Sequence, residues 1–118
     1  MSNEFLAIFC GNRNNPRMQA WMALPEAERK EKEQKGIAAW KAWMIKHQNV
    51  VVGMGGPLGK TKRIYSGGID DVSNNMGGFV VVRAQSHEEA ARFFENHPHF
   101  TDFPGEYIDL MPVLPIPA

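Results

Sequence analysis

The sequence predicts an α+β fold in which an antiparallel sheet has helices on only one of its faces. Three segments, residues 5–10, 50–52 and 79–82, are apolar without interruption, where a strand with one wet face would alternate. Such runs are typical of strands that are buried on both faces. Only two segments have helical periodicity, so one face of the sheet is left for something other than this chain. We therefore expect a partner subunit.

Length and composition indicate a single domain over residues 1–118. Lys and Arg together number 13, as do Asp and Glu, so the formal net charge is zero and favours neither nucleic acid nor an anionic membrane as a partner. Cys10 is the only cysteine, which rules out a disulfide within the chain. The start of the sequence has no basic flank, and no apolar run approaches the roughly 20 residues of a membrane span. We expect a cytoplasmic protein.

The first half of the chain predicts a strand, a loop and a long helix. Residues 4–10 form the strand, and the Gly, Asn and Pro residues that follow it predict the loop. The helix is predicted over residues 25–48, because Pro25 suits a first helical turn and Glu26 complements the helix dipole. Its apolar stripe recurs at steps of three and four residues, at Ile37, Trp40, Met44 and His47.

The middle of the chain predicts two strands and a short third one. Residues 50–54 form the second strand, and residues 62–65 are a candidate partner for it. A loop is predicted over residues 66–75. The next main strand is predicted over residues 78–83.

The last third predicts a helix and a closing strand. Residues 86–89 (SHEE) form a capping box, with Phe93 and Phe94 on the buried stripe, and Pro98 is expected to stop the helix. Ile108 and Leu110 mark the final strand. The resulting order, β-α-β-β-α-β, is the ferredoxin-like plan, an antiparallel sheet with two helices on one face.

His97, His99 and Asp102 are the candidate catalytic residues. Imidazole and carboxylate groups can transfer protons near neutral pH. The same residues would also suit a polar turn that caps the second helix, and this alternative stays open. A metal site needs a third and usually a fourth ligand, and the sequence offers none nearby except Asp102, so we expect neither a metal nor another cofactor.

Trp40, Tyr65 and Asp109 are weaker candidates for binding a ligand. A tryptophan at helical spacing is more often part of the core. Asp109 alternates with Ile108 and Leu110, so it faces away from the helices if that pair is in the core, and we expect the cleft on that side. Tyr65 can join it from the neighbouring hairpin, although a solvated edge strand explains both residues equally well.

Several segments resemble one protein family in their order and spacing. Residues 75–81 (NMGGFVV) resemble the Leu-Gly-Gly-Tyr/Phe strand start of the YCII-related proteins, including their DGPF branch. Residues 66–69 (SGGI) stand where that branch carries Asp-Gly-Pro-Phe. Residues 107–113 (YIDLMPV) are similar to its closing segment, and residues 23–26 (ALPE) to the start of its long helix. The resemblance covers nearly the whole chain.

This resemblance implies a ferredoxin-like protomer that pairs face to face into a dimeric α+β barrel. A few members of that family act as small-ring lyases or dehydrochlorinases, so the resemblance also implies such an activity. In the shortest members a His/Asp pair is the proposed active site. That pair does not carry over. His97 stands where those members have the Asp before the proline, and Ala39 and Trp40 stand where their long helix has the His.

We therefore expect a homodimer that binds a small aromatic or carboxylated molecule in a cleft between the sheet face and the His97 loop. A cofactor-free acid/base reaction, as a lyase or isomerase, is the function that such a cleft would support. The alternative is a non-catalytic module, either a ligand sensor or an assembly subunit whose sheet face serves only to dimerise.

Overall fold

A computed structural model describes residues 3–117 of the chain. Along the chain the elements are β1 (Asn3–Cys10), α1 (Pro16–Met22), α2 (Glu26–Lys46), β2 (Val51–Pro57), β3 (Thr61–Tyr65), β4 (Gly68–Val72), β5 (Met76–Ala84), α3 (His87–Arg92), α4 (Pro98–Thr101) and β6 (Tyr107–Pro112).

The main sheet has four strands in the order β2-β5-β1-β6, and every neighbouring pair is antiparallel. Strands β1 and β2 are connected through helices, and β5 lies between them. This is the strand order of a ferredoxin-like sheet. The predicted α+β class is confirmed.

The core lies between one face of this sheet and the helices. Phe5, Ala7 and Phe9 point into it from β1, because alternate residues of a strand face the same side. Val80 lies opposite Ala7 on one side, and Leu110 lies opposite Ala7 on the other. Leu110 packs against the buried cluster, as the alternation on the last strand predicted.

Helix α2 confirms the long predicted helix and begins and ends within two residues of the predicted limits. Glu26 and Glu28 lie in its first turn and Lys46 in its last, where each charge complements the helix dipole. Trp43 is buried, and its indole N–H donates a hydrogen bond to the Phe93 carbonyl at 3.0 Å. This bond ties α2 to the segment that follows α3.

Helix α1 is a short helix that the sequence analysis left unassigned. Asn15 is its N-cap, and the Asn15 side-chain oxygen accepts a hydrogen bond from the Met18 N–H at 2.8 Å. Pro16 occupies the first helical position, where its missing N–H is not needed. The pair Asn15-Pro16 was therefore a helix start rather than only a turn.

The loop predicted over residues 66–75 is wrong, because it contains β4. Strand β4 pairs with β3 in a separate two-stranded sheet, with Tyr65 opposite Gly68, so β3 does not pair with β2. Only Ser66 and Gly67 connect the two strands. A two-residue connection that contains glycine is a strong hairpin signal, and it was missed.

The helix that begins at the capping box is shorter than predicted. Ser86 accepts a hydrogen bond from the Glu89 N–H at 3.0 Å, which confirms the cap. The helix then ends at Arg92, before Pro98. Asn96 adopts a left-handed conformation with φ 56°, and Pro98 begins the separate helix α4 instead of stopping α3.

The sheet face opposite the helices carries a row of apolar side chains. Leu6 lies opposite Val81, and Ile8 lies opposite Phe79. All four are half-buried within one copy of the chain. Tyr107 and Met111 extend this open face along β6 and are 39% and 38% exposed.

Between residues 3 and 117, no helix has both the length and the apolar character that crossing a membrane requires.

Candidate functional site

Two cavities lie beside the C-terminal end of β1, on the side of the sheet that the helices cover. The apolar chamber, of about 500 Å³, lies between α2 and the sheet, and its main walls are Phe9, Ile37, Trp40, Met44, Val80 and Phe103. Among the described residues that line this chamber, Lys41 carries the only permanent charge. The sequence analysis placed the cleft on the opposite, open face.

The polar chamber has a volume of about 460 Å³ and lies between α1, the middle of α2, the start of β5 and the loops around residues 11–15, 74–75 and 103–105. Arg13 and Glu33 line it, together with Asn74 and Asn75. Trp21 supplies an aromatic wall, with its ring centroid 5.8 Å from that of Phe103.

His99 lines both chambers, so it lies where they meet. Its Nε2 is 3.0 Å from the Cys10 carbonyl oxygen and 3.1 Å from the Tyr107 carbonyl oxygen. Carbonyl oxygens only accept hydrogen bonds, so Nε2 carries the hydrogen. In the neutral ring, Nδ1 therefore holds the lone pair that can accept a proton.

The surroundings of His99 keep its ring neutral and fixed. Burial lowers the pKa of His99, the two carbonyl contacts raise it, and the nearby Arg17 guanidinium lowers it again. Gly105 packs against the ring, since a Cβ at this glycine would lie 2.3 Å from the His99 Cε1. Nδ1 has no hydrogen-bond partner among residues 3–117, yet it is not sealed from solvent.

His97 is completely buried and lines neither chamber. Its Nδ1 accepts a hydrogen bond from the His99 backbone N–H at 2.9 Å, which places the hydrogen on Nε2. Rings surround it, with centroids 4.5 Å away at Trp40, 4.7 Å at Trp43 and 5.0 Å at Phe9. Burial first, then the neighbouring histidines, lower the pKa of His97 to about 3.

Trp40 combines the two roles that the sequence left open. It packs on the core, with its ring 4.7 Å from Phe9, and it also lines the apolar chamber. Its ring centroid lies 6.5 Å from that of His99 and 6.0 Å from that of Phe103, edge to face in both cases. Trp40 and His99 are the candidates that the structure brings together.

The other three candidates lie elsewhere and line neither chamber. Asp102 ends α4, where its carboxylate accepts a hydrogen bond from the Thr101 hydroxyl at 2.8 Å. Tyr65 is 49% exposed on the hairpin. Asp109 lies on the open face opposite Ile8, as expected, and its charge contributes to a raised pKa of the buried Cys10 thiol, for which burial is the larger cause.

Sequence reasoning missed two residues that shape the site. Phe103 lies so close to α2 that a Cβ on Gly36 would be 2.5 Å from the Phe103 ring. A glycine in the middle of a helix often marks such a close approach, and this was the available signal. Arg17 holds the loop that carries Phe103 through hydrogen bonds to the carbonyls of Phe100, Phe103 and Gly105.

Among residues 3–117, no three His, Cys, Asp or Glu side chains lie close enough together to hold a metal ion.

No protein-family model matches the sequence, and no curated protein matches it. The chain is similar in structure to 5-chloro-2-hydroxyhydroquinone dehydrochlorinase (TftG) from Burkholderia phenoliruptrix AC1100, solved in complex with 2,5-dihydroxybenzoquinone. The TM-score is 0.50 at 20% sequence identity, over 91% of this chain and 89% of the other. This likeness shows the shared fold.

Proposed function

We propose that the chain binds a small hydroxylated or carboxylated aromatic molecule in the apolar chamber, with His99 as the general base. The observation that carries this proposal is that His99 lines a cavity walled by aromatic rings, while its Nδ1 has no hydrogen-bond partner among residues 3–117. Nδ1 would take the proton of a phenol or enol hydroxyl, while Nε2–H keeps the ring in place through the two carbonyls.

The positive charge of Lys41 at the chamber supports an acidic ligand. Lys41 lies at the chamber lined by Trp40 and Phe103, so its ammonium group would attract a phenolate or carboxylate. Deprotonation beside an ammonium group is favoured because opposite charges stabilise one another. His99 would then act as the base and Lys41 as the group that stabilises the anion.

The structural neighbour supports the same class of ligand. TftG is named for its action on a chlorinated hydroxyhydroquinone, and it was solved with a dihydroxybenzoquinone. Both are small oxygenated six-membered rings. On this basis we propose a YCII-related, cytoplasmic, single-domain protein, with cofactor-free lyase or isomerase chemistry as its reaction class.

We further propose that two copies associate through the open face of the sheet. The row of Leu6, Ile8, Phe79 and Val81 is apolar and runs across the two central strands. Burying apolar surface stabilises association by roughly 25 cal/mol for each Å² removed from water. A second copy would present the same row, as a two-fold interface requires.

The second candidate function is ligand sensing or assembly without turnover. The observation that favours it is that, among the described residues, no carboxylate makes a hydrogen bond to His99. A catalytic histidine is commonly oriented by such a group, and here backbone carbonyls orient the ring instead.

The variant His99→Gln separates these functions. Its side-chain amide can still donate to the Cys10 and Tyr107 carbonyls, but it offers no basic nitrogen. We would measure binding of catechols, hydroquinones and hydroxybenzoates by thermal shift, and their consumption by absorbance. We expect H99Q to keep binding and to lose about 100-fold or more of the turnover.

His87→Gln is the matched control, because His87 is exposed and lines neither chamber. Turnover by H99Q at the wild-type rate would reject His99 as the base. Binding without any turnover by the wild type would favour the sensor.

A further inference from the structure

The apolar and polar chambers adjoin each other. They share five lining residues, Phe9, Ile37, Gly77, His99 and Phe103, although the remaining walls come from different elements. A molecule longer than a single ring can therefore extend from one chamber into the other.

The polar chamber presents two opposite charges that do not pair with each other. Arg13 is exposed at this chamber, and Glu33 is half-buried in it. Within residues 3–117, neither forms an ion pair, and neither side chain makes a hydrogen bond to the protein. A carboxylate that is partly removed from water is less stable unless a donor or a cation faces it.

The two chambers differ in chemistry as well as in position. Aromatic and aliphatic side chains wall the apolar chamber, which suits a ring. The polar chamber offers a guanidinium, which matches the planar geometry of a carboxylate, and a carboxylate, which matches an ammonium. An α-amino acid carries both of these groups on one carbon atom.

We infer that the ligand is an aromatic α-amino acid or a close derivative, with its ring in the apolar chamber and its zwitterionic end between Arg13 and Glu33. This inference rests on the proposed function and specifies the ligand class of the same site. A simple phenol would fill only the apolar chamber and would leave Glu33 without a cation.

Four probes with the same phenol ring separate the contributions of the carboxylate and the ammonium group to binding. L-tyrosine carries both charges, 3-(4-hydroxyphenyl)propanoate carries only the carboxylate, tyramine carries only the ammonium, and 4-ethylphenol carries neither. We expect calorimetry to give the lowest Kd for L-tyrosine and the highest for 4-ethylphenol. Each charged contact is expected to change Kd by about tenfold.

Two variants test which residue binds the carboxylate and which binds the ammonium group of L-tyrosine. We expect Arg13→Gln to weaken L-tyrosine and the propanoate by about tenfold and to leave tyramine and 4-ethylphenol unchanged. Glu33→Gln should weaken L-tyrosine and tyramine by a similar factor and leave 4-ethylphenol unchanged. Arg63→Gln and Glu95→Gln are the matched controls, since both residues are exposed and line neither chamber.

The outcomes distinguish this inference from the function on which it rests. Equal binding of 4-ethylphenol and L-tyrosine, or an equal effect of Arg13→Gln on all four probes, overturns the amino-acid inference alone. If the wild type binds neither these probes nor hydroquinones, both the inference and the proposed function are overturned.

Discussion

His97 and His99 are two residues apart in the chain, yet their environments give them different chemistry. His97 Nδ1 is occupied by the His99 backbone N–H, and the ring is fully buried. His99 uses Nε2 to hold its ring, which leaves Nδ1 without a hydrogen-bond partner among the described residues. His97 therefore supports the position of His99, and His99 is the residue that a ligand can reach.

The buried His97 is expected to make the stability of the protein depend on pH. Its pKa is about 3 in the folded chain and about 6.5 when unfolded, so the unfolded state gains a proton first as the pH falls. The stability that the neutral His97 contributes is fully present above pH ~6.5 and is lost as the pH falls toward ~3. Between pH 7 and 5 we expect the free energy of unfolding to fall by about 2 kcal/mol through this residue. Urea unfolding at both pH values measures it.

The variant His97→Asn isolates this contribution. An asparagine oxygen can still accept from the His99 N–H, and the side chain does not titrate in this range. We expect lower stability at pH 7 but a smaller loss between pH 7 and 5 than in the wild type. His87→Asn, at an exposed position, should keep the wild-type loss. An identical loss in H97N and the wild type would contradict this account of His97.

At the scale of elements, the contact between α2 and the loop after α4 forms the site. Gly36 lets the Phe103 ring approach the helix, and Phe103 then lines both chambers. Arg17 of α1 holds the same loop through three backbone carbonyls. Three helices thus fix the wall opposite the sheet.

Gly36→Ala should therefore destabilise the protein, although alanine favours helices. The added Cβ would lie 2.5 Å from two atoms of the Phe103 ring. Overpacking of this kind costs about 1–3 kcal/mol, against a gain of about 1 kcal/mol in helix propensity. Thermal unfolding measures the net change, which we expect to be a loss.

Phe103→Leu tests whether contact with the Phe103 ring causes the loss of stability in Gly36→Ala. In a double-mutant cycle, Gly36→Ala should cost less stability when residue 103 is leucine, because the smaller side chain leaves room for the Cβ. An equal cost in both backgrounds would place the strain elsewhere.

Elements with strong local signals were predictable, and contacts between distant segments were not. Ser86 gave the start of one helix through its side-chain cap, and Pro25 gave the start of another through its fixed backbone angle. Ile108 and Leu110 gave the inward side of β6. The side of the sheet that holds the cavities depends on how Phe103 and His99 fold back onto α2. Gly36 signals a close approach to α2, but no local pattern says which segment makes it.

At the scale of the whole molecule, the chain is wider and flatter than a compact domain of its length. Its radius of gyration is 16.2 Å, and its extents are 54 × 44 × 19 Å. A compact chain of this length would have a radius of gyration of about 13.5 Å. The open sheet face and the hairpin of β3 and β4 leave apolar side chains at the surface, among them Ile64, which is 74% exposed.

Ile8→Lys tests whether the open face is the interface between two copies. On association, a lysine in the middle of the apolar row would be removed from water together with Asp109, which lies opposite Ile8, and the cost of dehydrating both charges exceeds their attraction unless further hydrogen bonds satisfy them. We expect the variant to sediment as a folded monomer under conditions in which the wild type sediments as a dimer. Ile64→Lys, on the hairpin, should leave the dimer intact. A monomeric wild type, or a dimeric I8K variant, would contradict this interface.

The central claim is that a ligand binds beside His99 Nδ1 in the cleft between α2 and the sheet. The most direct test is a long-range ¹H–¹⁵N NMR spectrum of the histidine side chains, recorded before and after adding hydroquinone. The account predicts that His99 is protonated at Nε2 and that its Nδ1 resonance shifts on binding while the His87 resonances stay unchanged. A His99 ring protonated at Nδ1, or ligand shifts confined to residues outside the two chambers, would contradict it.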